Sequence, residues 1–297
     1  MSITPNRTFL FVPGNHPRKL EKVFDSGADA VIIDLEDAVA IAEKPQTRAV
    51  AVDALKQAHQ PRGYVRVNAV DTEFCFQDLS TVVGPWLDGI VLPKVESVSD
   101  YLSVDWVLGN LEREVGMPIG SIDLMPIIET AKGLAAARDI AACGGRIKRI
   151  SFGAGDYTRD LNLQWTFAED EIAAARSELV LASRLANIEP PIDTVFIHIK
   201  EHDHFAASAR KGREFGFQGK LCIHPNQIDA THAAYTPTAE EATWAKKIIS
   251  SFEEAEKQGS ASIQVDGYFV DYPIVEKAEY IVALYEAVHA THSEHNL

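Results

Sequence analysis

Eight short β-rich runs, most of them followed by a helical pattern, recur along most of this chain and constrain its fold more than any other feature. They fall at Thr8–Val12, Ala30–Asp34, Tyr64–Val67, Gly89–Leu92, Leu124–Ile128, Arg149–Phe152, Thr194–Ile197 and Leu221–Ile223. Most are continuously apolar rather than alternating, as in strands covered on both faces of a parallel sheet. The segments Arg18–Asp25, Glu43–Ala58, Ala131–Ala142 and Glu169–Ala186 read as helices between them. Strand–helix alternation repeated eight times predicts an α/β fold, a (β/α)8 TIM barrel, over residues 1–235. An open doubly wound sheet is the competing architecture, but no Gly-rich dinucleotide turn follows the first run.

Past Tyr235 the alternation stops. Thr238 followed by Glu241 is a capping-box signature for a helix reaching about Lys257. Asp266-Gly267 between two β-prone runs is a hairpin signal. A last helix opens near Pro273, with Ile274, Ala278, Ile281 and Leu284 on one face. Residues 236–297 are thus expected to form a helix–hairpin–helix extension. It is too small to fold alone, so it packs on the barrel or on a neighbouring subunit.

Composition narrows the partners. With 297 residues, 46% hydrophobic, and a net charge of -15, the chain does not suit nucleic acid or anionic membrane as its main partner. A few local Arg and Lys residues still suffice to hold an anionic substrate. Cys75, Cys143 and Cys222 lack metal-type spacing and read as free thiols of a reducing compartment. The N-terminus lacks a signal-like apolar run, and no stretch is long enough to span a bilayer, so a cytoplasmic protein is expected.

In such a barrel the chemistry sits at the C-terminal ends of the strands. The fifth and sixth runs hand over there to Glu129 and Asp156. Two carboxylates on neighbouring strands plus waters suit Mg2+; the alternative is that each caps a helix or pairs with a barrel cation. Arg66 suits bidentate capture of a substrate carboxylate, or equally a salt bridge to Asp34 or Glu36. Asp34, Glu36 and Asp37 form an acid cluster for which Lys44 and Arg48, one helical turn apart, are plausible partners. Lys94 ends a strand like a Schiff-base lysine, but Glu96 is expected to hold it protonated. His198 is expected to end the seventh strand with His202 and His204 opening a helix, an arrangement that does not converge on zinc. No Gly-x-Ser-x-Gly elbow or P-loop is present.

At these residues the sequence resembles the citrate lyase β-subunit family of the HpcH/HpaI aldolase/citrate lyase superfamily, which includes malyl-CoA and citramalyl-CoA lyases. The resemblance covers nearly the whole chain. It rests on Leu10–Gly14 (LFVPG), Asp34–Val39 (DLEDAV), Val65–Asn68 (VRVN), Leu92–Glu96 (LPKVE), Pro126–Thr130 (PIIET), Phe152–Asp156 (FGAGD), Gly219–Gln227 (GKLCIHPNQ) and Val265–Asp271 (VDGYFVD). Each block is weak alone; eight in the family's order are specific.

The resemblance implies a barrel enzyme binding Mg2+ through Glu129 and Asp156, with Arg66 gripping the carboxylate of an oxo-acid portion. It makes Arg18 and Lys22 candidates for the phosphates of coenzyme A. Asp271 matches an acid that reaches a neighbouring subunit's active site in relatives, which implies a trimer or a multiple of it. The implied reaction is reversible carbon–carbon cleavage of a 3-hydroxy-3-carboxyacyl thioester such as citryl-, malyl- or citramalyl-CoA, giving acetyl-CoA and an oxo acid. In it Asp271 exchanges a proton with the acetyl carbon, while Glu36 and Asp37 position Arg66 and water. Two departures stand out: Gly155 replaces a Glu common in the family, and His202-Asp-His204 replaces an Asp/Gly-containing stretch. Both bear on substrate choice, which makes Gly155 a candidate substrate-binding position. The alternatives are a thioester hydrolase or malate-synthase-like enzyme on the same scaffold, or a citrate lyase β subunit that works only within a complex on an acyl carrier protein.

Overall fold

Seven of the eight predicted runs contribute a strand and the remaining strand forms just ahead of its run, and the eight strands close into one parallel barrel in the order β1 to β8, with β1 paired to β8. The structure is a computed structural model and describes residues 4–57 and 60–293. The strands are β1 Thr8–Pro13, β2 Ala30–Asp34, β3 Arg62–Arg66, β4 Gly89–Leu92, β5 Asp123–Ile128, β6 Ser151–Phe152, β7 Ile192–Asp193 and β8 Gly219–Cys222. The helices of this part are α1 Pro17–Val23, α2 Lys44–Leu55, α3 Cys75–Val82, α4 Val98–Glu114, α5 Ala131–Ala135, α6 Ala137–Ala141, α7 Ala154–Asp160, α8 Ala173–Leu185, α9 His202–Phe215 and α10 Ile228–Tyr235. The expected helix over Ala131–Ala142 is thus two short ones meeting at Ala136.

Phe9, Ile32, Tyr64, Val91, Met125, Ile127, Ile192 and Leu221 form one buried cluster drawn from seven of the strands. This is why the runs are apolar without alternation: one face fills the barrel, the other packs under the helices. Fully burying each large side chain contributes about 1.5–3 kcal/mol. Buried charge also holds the scaffold together. Tyr64 Oη donates to Asp123 at 2.8 Å, and Arg149 bridges Asp123 at 2.5 Å and Glu189 at 2.8 Å.

The seventh strand is displaced from its expected place. Ladder pairing stops after Ile192–Asp193, which face Ser151 on one side and Gly219 and Lys220 on the other. The β-branched stretch that follows is already loop: Thr194 Oγ1 accepts from the Ala154 amide at 2.8 Å, and Ile197 is half exposed. His198 therefore lies on a loop, five residues beyond the strand it was expected to end.

The chain divides into a larger unit, Asn6–His232, and a smaller one built from Ala233 onward together with the residues before Asn6. The smaller unit contains α11 Ala239–Lys257, the hairpin β9 Ile263–Val265 and β10 Tyr268–Val270, and α12 Tyr272–Ser293. Thr238 caps α11 in a complete capping box with Glu241. Asp266 and Gly267 turn the hairpin with φ of 50° and 83°, the left-handed pair that a two-residue turn requires. Ile248 and Phe252 of α11 pack with Val265, Val270, Val275 and Ala278, giving this unit its own apolar cluster.

Candidate active site

The site begins with a matter of register. Asp34 ends β2 and Arg66 ends β3, and the ladder sets them opposite one another. Arg66 Nε and Nη2 donate to the two Asp34 oxygens at 2.7 and 2.6 Å, a fork-on-fork pair. Nη1 lies 3.0 Å from Glu36 Oε2, and the guanidinium rides 4.8 Å above the Phe11 ring. Of the two readings of Arg66, the salt bridge is the one observed. It engages the Nε–Nη2 edge and fixes the direction of the Nη1 edge. Burial disfavours the Arg66 charge, but Asp34 outweighs it and holds the group more firmly protonated than an ordinary arginine. Burial likewise disfavours the Asp34 carboxylate, yet Arg66 and the amides of Glu36 and Ala38 keep its pKa below the usual value.

Lys94 comes next, immediately beyond β4 and its Pro93. Its φ of 52° is left-handed, a conformation that costs a non-glycine residue roughly 1 kcal/mol. In exchange, its amide donates to Glu129 Oε1 at 2.8 Å, and its ammonium reaches Glu36 and lies 3.7 Å from Asp37. Burial alone would lower the Lys94 pKa; Glu36 more than offsets this and holds the amine charged. The expected protonated state is present, but the partner is Glu36, not Glu96, which turns instead to Lys132 at 3.4 Å.

Lys44 and Arg48 are not the carboxylate partners that their spacing suggested. Buried Lys44 donates to the carbonyls of Leu35 and Glu36 at 3.0 and 2.6 Å and to Asn68 Oδ1 at 2.7 Å. It pins the loop after β2 from beneath. Arg48 pairs with Asp78 at 2.7 Å. Asp37, in contrast to Glu36, is largely exposed.

Glu129 follows β5 directly and is 3% exposed. A Cβ on Gly153 would collide with its carboxylate, so the glycine after β6 makes room for this acid. Asp156 departs from expectation: it is not at the end of β6 but four residues on, in the first turn of α7. Its Oδ1 meets exposed Arg159 at 2.6 Å. Burial first, then the charges of Glu36 and Asp156, push the Glu129 carboxyl up to about 8, against the opposing pull of Arg66 and Lys94. Burial also raises Glu36, with Asp37 adding to it. Five acids, Asp34, Glu36, Asp37, Glu129 and Asp156, thus stand with Arg66, Lys94 and Arg159, and buried Glu129 carries the cost. Oxygen donors of this kind suit a hard cation. Among the described residues no group of three or more His, Cys, Asp or Glu takes metal-binding geometry.

The other predicted positions are spread out. Gly155, exposed in α7, precedes Asp156 and has the Trp165 ring edge 3.8 Å from where a Cβ would stand. Arg18 and Lys22 lie one turn apart on α1, both exposed. Asp271 immediately precedes α12 in the smaller unit, its carbonyl accepting from the amides of Ile274 and Val275. His198 and His204 do come together, but around Phe167: His204 stacks on that ring at 4.3 Å and His198 meets it edge-on at 4.7 Å. Sequence reasoning missed Gly153 and Trp165. Gly153 lay inside a quoted motif, whereas nothing in the local pattern marks Trp165.

Comparison with known proteins is consistent with this geometry. Residues 7–225 match the family model for HpcH/HpaI aldolase/citrate lyase. The citrate lyase subunit beta of Leuconostoc mesenteroides subsp. cremoris is 35% identical over 98% of this chain and 96% of its own length. An L-malyl-CoA/beta-methylmalyl-CoA lyase of Cereibacter sphaeroides is 32% identical, covering 96% of each chain. Among solved structures, protein CitE of Mycobacterium tuberculosis in complex with magnesium, acetoacetate and coenzyme A superposes with a TM-score of 0.79 and 27% identity. That match covers 96% of this chain and 99% of the other.

Proposed function

The chain belongs to the HpcH/HpaI aldolase/citrate lyase family and is a lyase of it, and from that premise we propose that it is a Mg2+-dependent carbon–carbon lyase acting on 3-hydroxy-3-carboxyacyl thioesters of coenzyme A. The observation that carries the proposal is buried Glu129, pushed up to about 8 beside Glu36 and Asp156. Magnesium and coenzyme A bound in the related CitE structure support Mg2+ as the cation and coenzyme A as the thioester carrier. No helix among the described residues is long and apolar enough to cross a membrane.

Held by Glu129 and Asp156, Mg2+ would supply Lewis-acid stabilisation as the substrate's carbinol oxygen becomes the carbonyl of the oxo acid. Arg66, held in place by Asp34, shares Nη1 between Glu36 and the substrate carboxylate. Lys94 holds Glu36 against Arg66 and lends its amide to Glu129. Arg18 and Lys22 hold the coenzyme A phosphates. A base takes the hydroxyl proton, the bond between the carbinol carbon and the acetyl carbon breaks, and its electron pair leaves on the acetyl-CoA enolate. Asp271, reaching across from a neighbouring subunit, gives a proton to the acetyl carbon, so that the products are acetyl-CoA and a 2-oxo acid. A crossing residue requires an oligomer, and the family resemblance supports a trimer or a multiple of it.

Product analysis tests the reaction. Citryl-, malyl- and citramalyl-CoA incubated with the purified chain should release acetyl-CoA and the oxo acid from at least one. Release of free coenzyme A instead would favour a thioester hydrolase or malate-synthase-like enzyme. Turnover only of acyl carrier protein thioesters would favour the complex-dependent subunit suggested by the name of the Leuconostoc relative.

The crossing of Asp271 has its own test. Asp271→Ala and Arg66→Ala should each lose at least about 100-fold in activity, the scale of one general acid–base group. Mixing the two variants under subunit exchange should restore a measurable fraction, because hybrid sites regain both intact residues. No recovery on mixing would place Asp271 outside the neighbouring site.

The acid cluster also predicts a pH-dependent response to the cation. Glu129 binds its proton more tightly folded than unfolded. In metal-free protein its ionisation therefore costs stability progressively from about pH 4.5 to about 8. Mg2+ should relieve that cost, so the thermal shift it produces should grow across this window and level off above it. A shift independent of pH would show that Glu129 is not where the cation binds.

A further inference from the structure

The loop between α7 and α8 carries features that the proposed mechanism does not use. Trp165, half-buried, brings its ring edge 3.8 Å from the Gly155 Cβ position, and apart from Gly155's own helix and chain neighbours no other described atom lies within 4 Å of that point. Gly155 adjoins Asp156, one of the two metal candidates. Two residues beyond Trp165, Phe167 is stacked on His204 and edged by His198. Trp165 and Phe167 are uncharged, and the imidazoles of His198 and His204 lie against Phe167.

The loop is fixed in place rather than free. Glu169 is fully buried in a left-handed conformation with φ of 55°, its carboxylate held by Arg176 at 2.8 Å and by Ser208 at 3.0 Å. Glu171 binds the Thr166 amide and hydroxyl at 2.6 and 2.9 Å. Lys211 grips the Ala168 carbonyl and Asp170. A strained residue anchored this heavily sets the position of the side chains just before it.

We propose that Trp165, set against Gly155 beside Asp156, is a specificity-determining residue that receives an uncharged alkyl substituent on the substrate's carbinol carbon. This deepens the lyase reading and rests on it. Thioesters that yield pyruvate-type 2-oxo acids are then preferred over those that yield oxaloacetate, whose second carboxylate would meet an aromatic ring instead of a cation. Gly155 matters because a side chain longer than a methyl there would press on the indole edge.

Calorimetric titration of the full chain in Mg2+ with glyoxylate, pyruvate, 2-oxobutyrate and oxaloacetate reads this without turnover. Affinity should rise about fourfold for each carbon added from glyoxylate to 2-oxobutyrate, as burial of a methyl or methylene predicts, and oxaloacetate should bind more weakly than pyruvate. Trp165→Ala should flatten that series towards the glyoxylate value while leaving glyoxylate itself within about twofold; Trp165→Phe should keep most of it. Equal losses for all four acids in Trp165→Ala, an unchanged series, or oxaloacetate as the tightest ligand would each overturn the proposal. Failure of all four acids to bind would overturn it together with the metal-site reading. The graded series without any thioester cleavage would support the Trp165 assignment while refuting the lyase reading.

Discussion

Glu129→Gln is expected to lower kcat/KM by about 1000-fold, equivalent to about 4 kcal/mol of transition-state stabilisation. The substitution is chosen to isolate charge. A Gln amide oxygen still accepts from the Lys94 amide, which Glu129 Oε1 meets at 2.8 Å, and the space left by Gly153 still fits it. What disappears is one of two carboxylates available to a divalent cation. Stability should move the other way. Burial and the neighbouring charges of Glu36 and Asp156 hold the Glu129 pKa at about 8, so its ionisation is a cost to the metal-free fold. The metal-free Gln variant should therefore melt at the same temperature as the parent or slightly higher, with the difference largest above about pH 8. Steady-state kinetics and thermal melts on the same preparation check both signs. A variant that keeps its activity within tenfold would remove Glu129 from the chemistry.

Arg176→Met should cost about 3–5 kcal/mol of folding stability, because it leaves buried carboxylates without their counter-charge. Arg176 is fully buried on α8. It donates from Nε and Nη2 to Asp193 at 2.9 Å each, and from Nη2 to Glu169 at 2.8 Å. Lys220 would still serve Asp193 at 2.8 Å, but Glu169 would retain only Ser208. Urea denaturation followed by circular dichroism should show a lower midpoint at an unchanged slope. A change below about 1 kcal/mol would mean that the Arg176 cluster contributes little net stability. The same substitution should loosen the loop bearing Trp165, so the discrimination among 2-oxo acids should narrow in whatever protein still folds.

The barrel was legible because a parallel sheet buried on both faces writes each strand as an apolar run, and eight such runs leave few alternatives. The seventh was misplaced for a physical reason. Thr194–Ile197 has strand-like composition, but pairing to β6 and β8 has already ended at Asp193, so the β-branched residues continue as loop. The capping box at Thr238 and the Asp-Gly turn were readable because both are local. Pairings between distant side chains were legible only in part, the Arg66 salt bridge to Asp34 and Glu36 being one of two open readings. Asp34 meets Arg66 because register sets strand ends level, and Lys94 meets Glu36 across 58 positions of sequence. Local spacing instead favoured Glu96 for Lys94, and Lys44 and Arg48 for the acid cluster. Asp156 lies in the first turn of α7 rather than at a strand end because β6 stops at Phe152. The Trp165 wall lies in a loop whose position is set by Arg176 and Ser208 from elsewhere in the chain, and no periodicity announces it.

The Mg2+ dependence of acetyl-CoA release from a 3-hydroxy-3-carboxyacyl-CoA is the most direct test of the central reading, with the parent chain measured beside Asp156→Ala. Release that stops with EDTA, returns with Mg2+ and is lost in Asp156→Ala is the predicted result. Release undiminished by EDTA or by that substitution would contradict it.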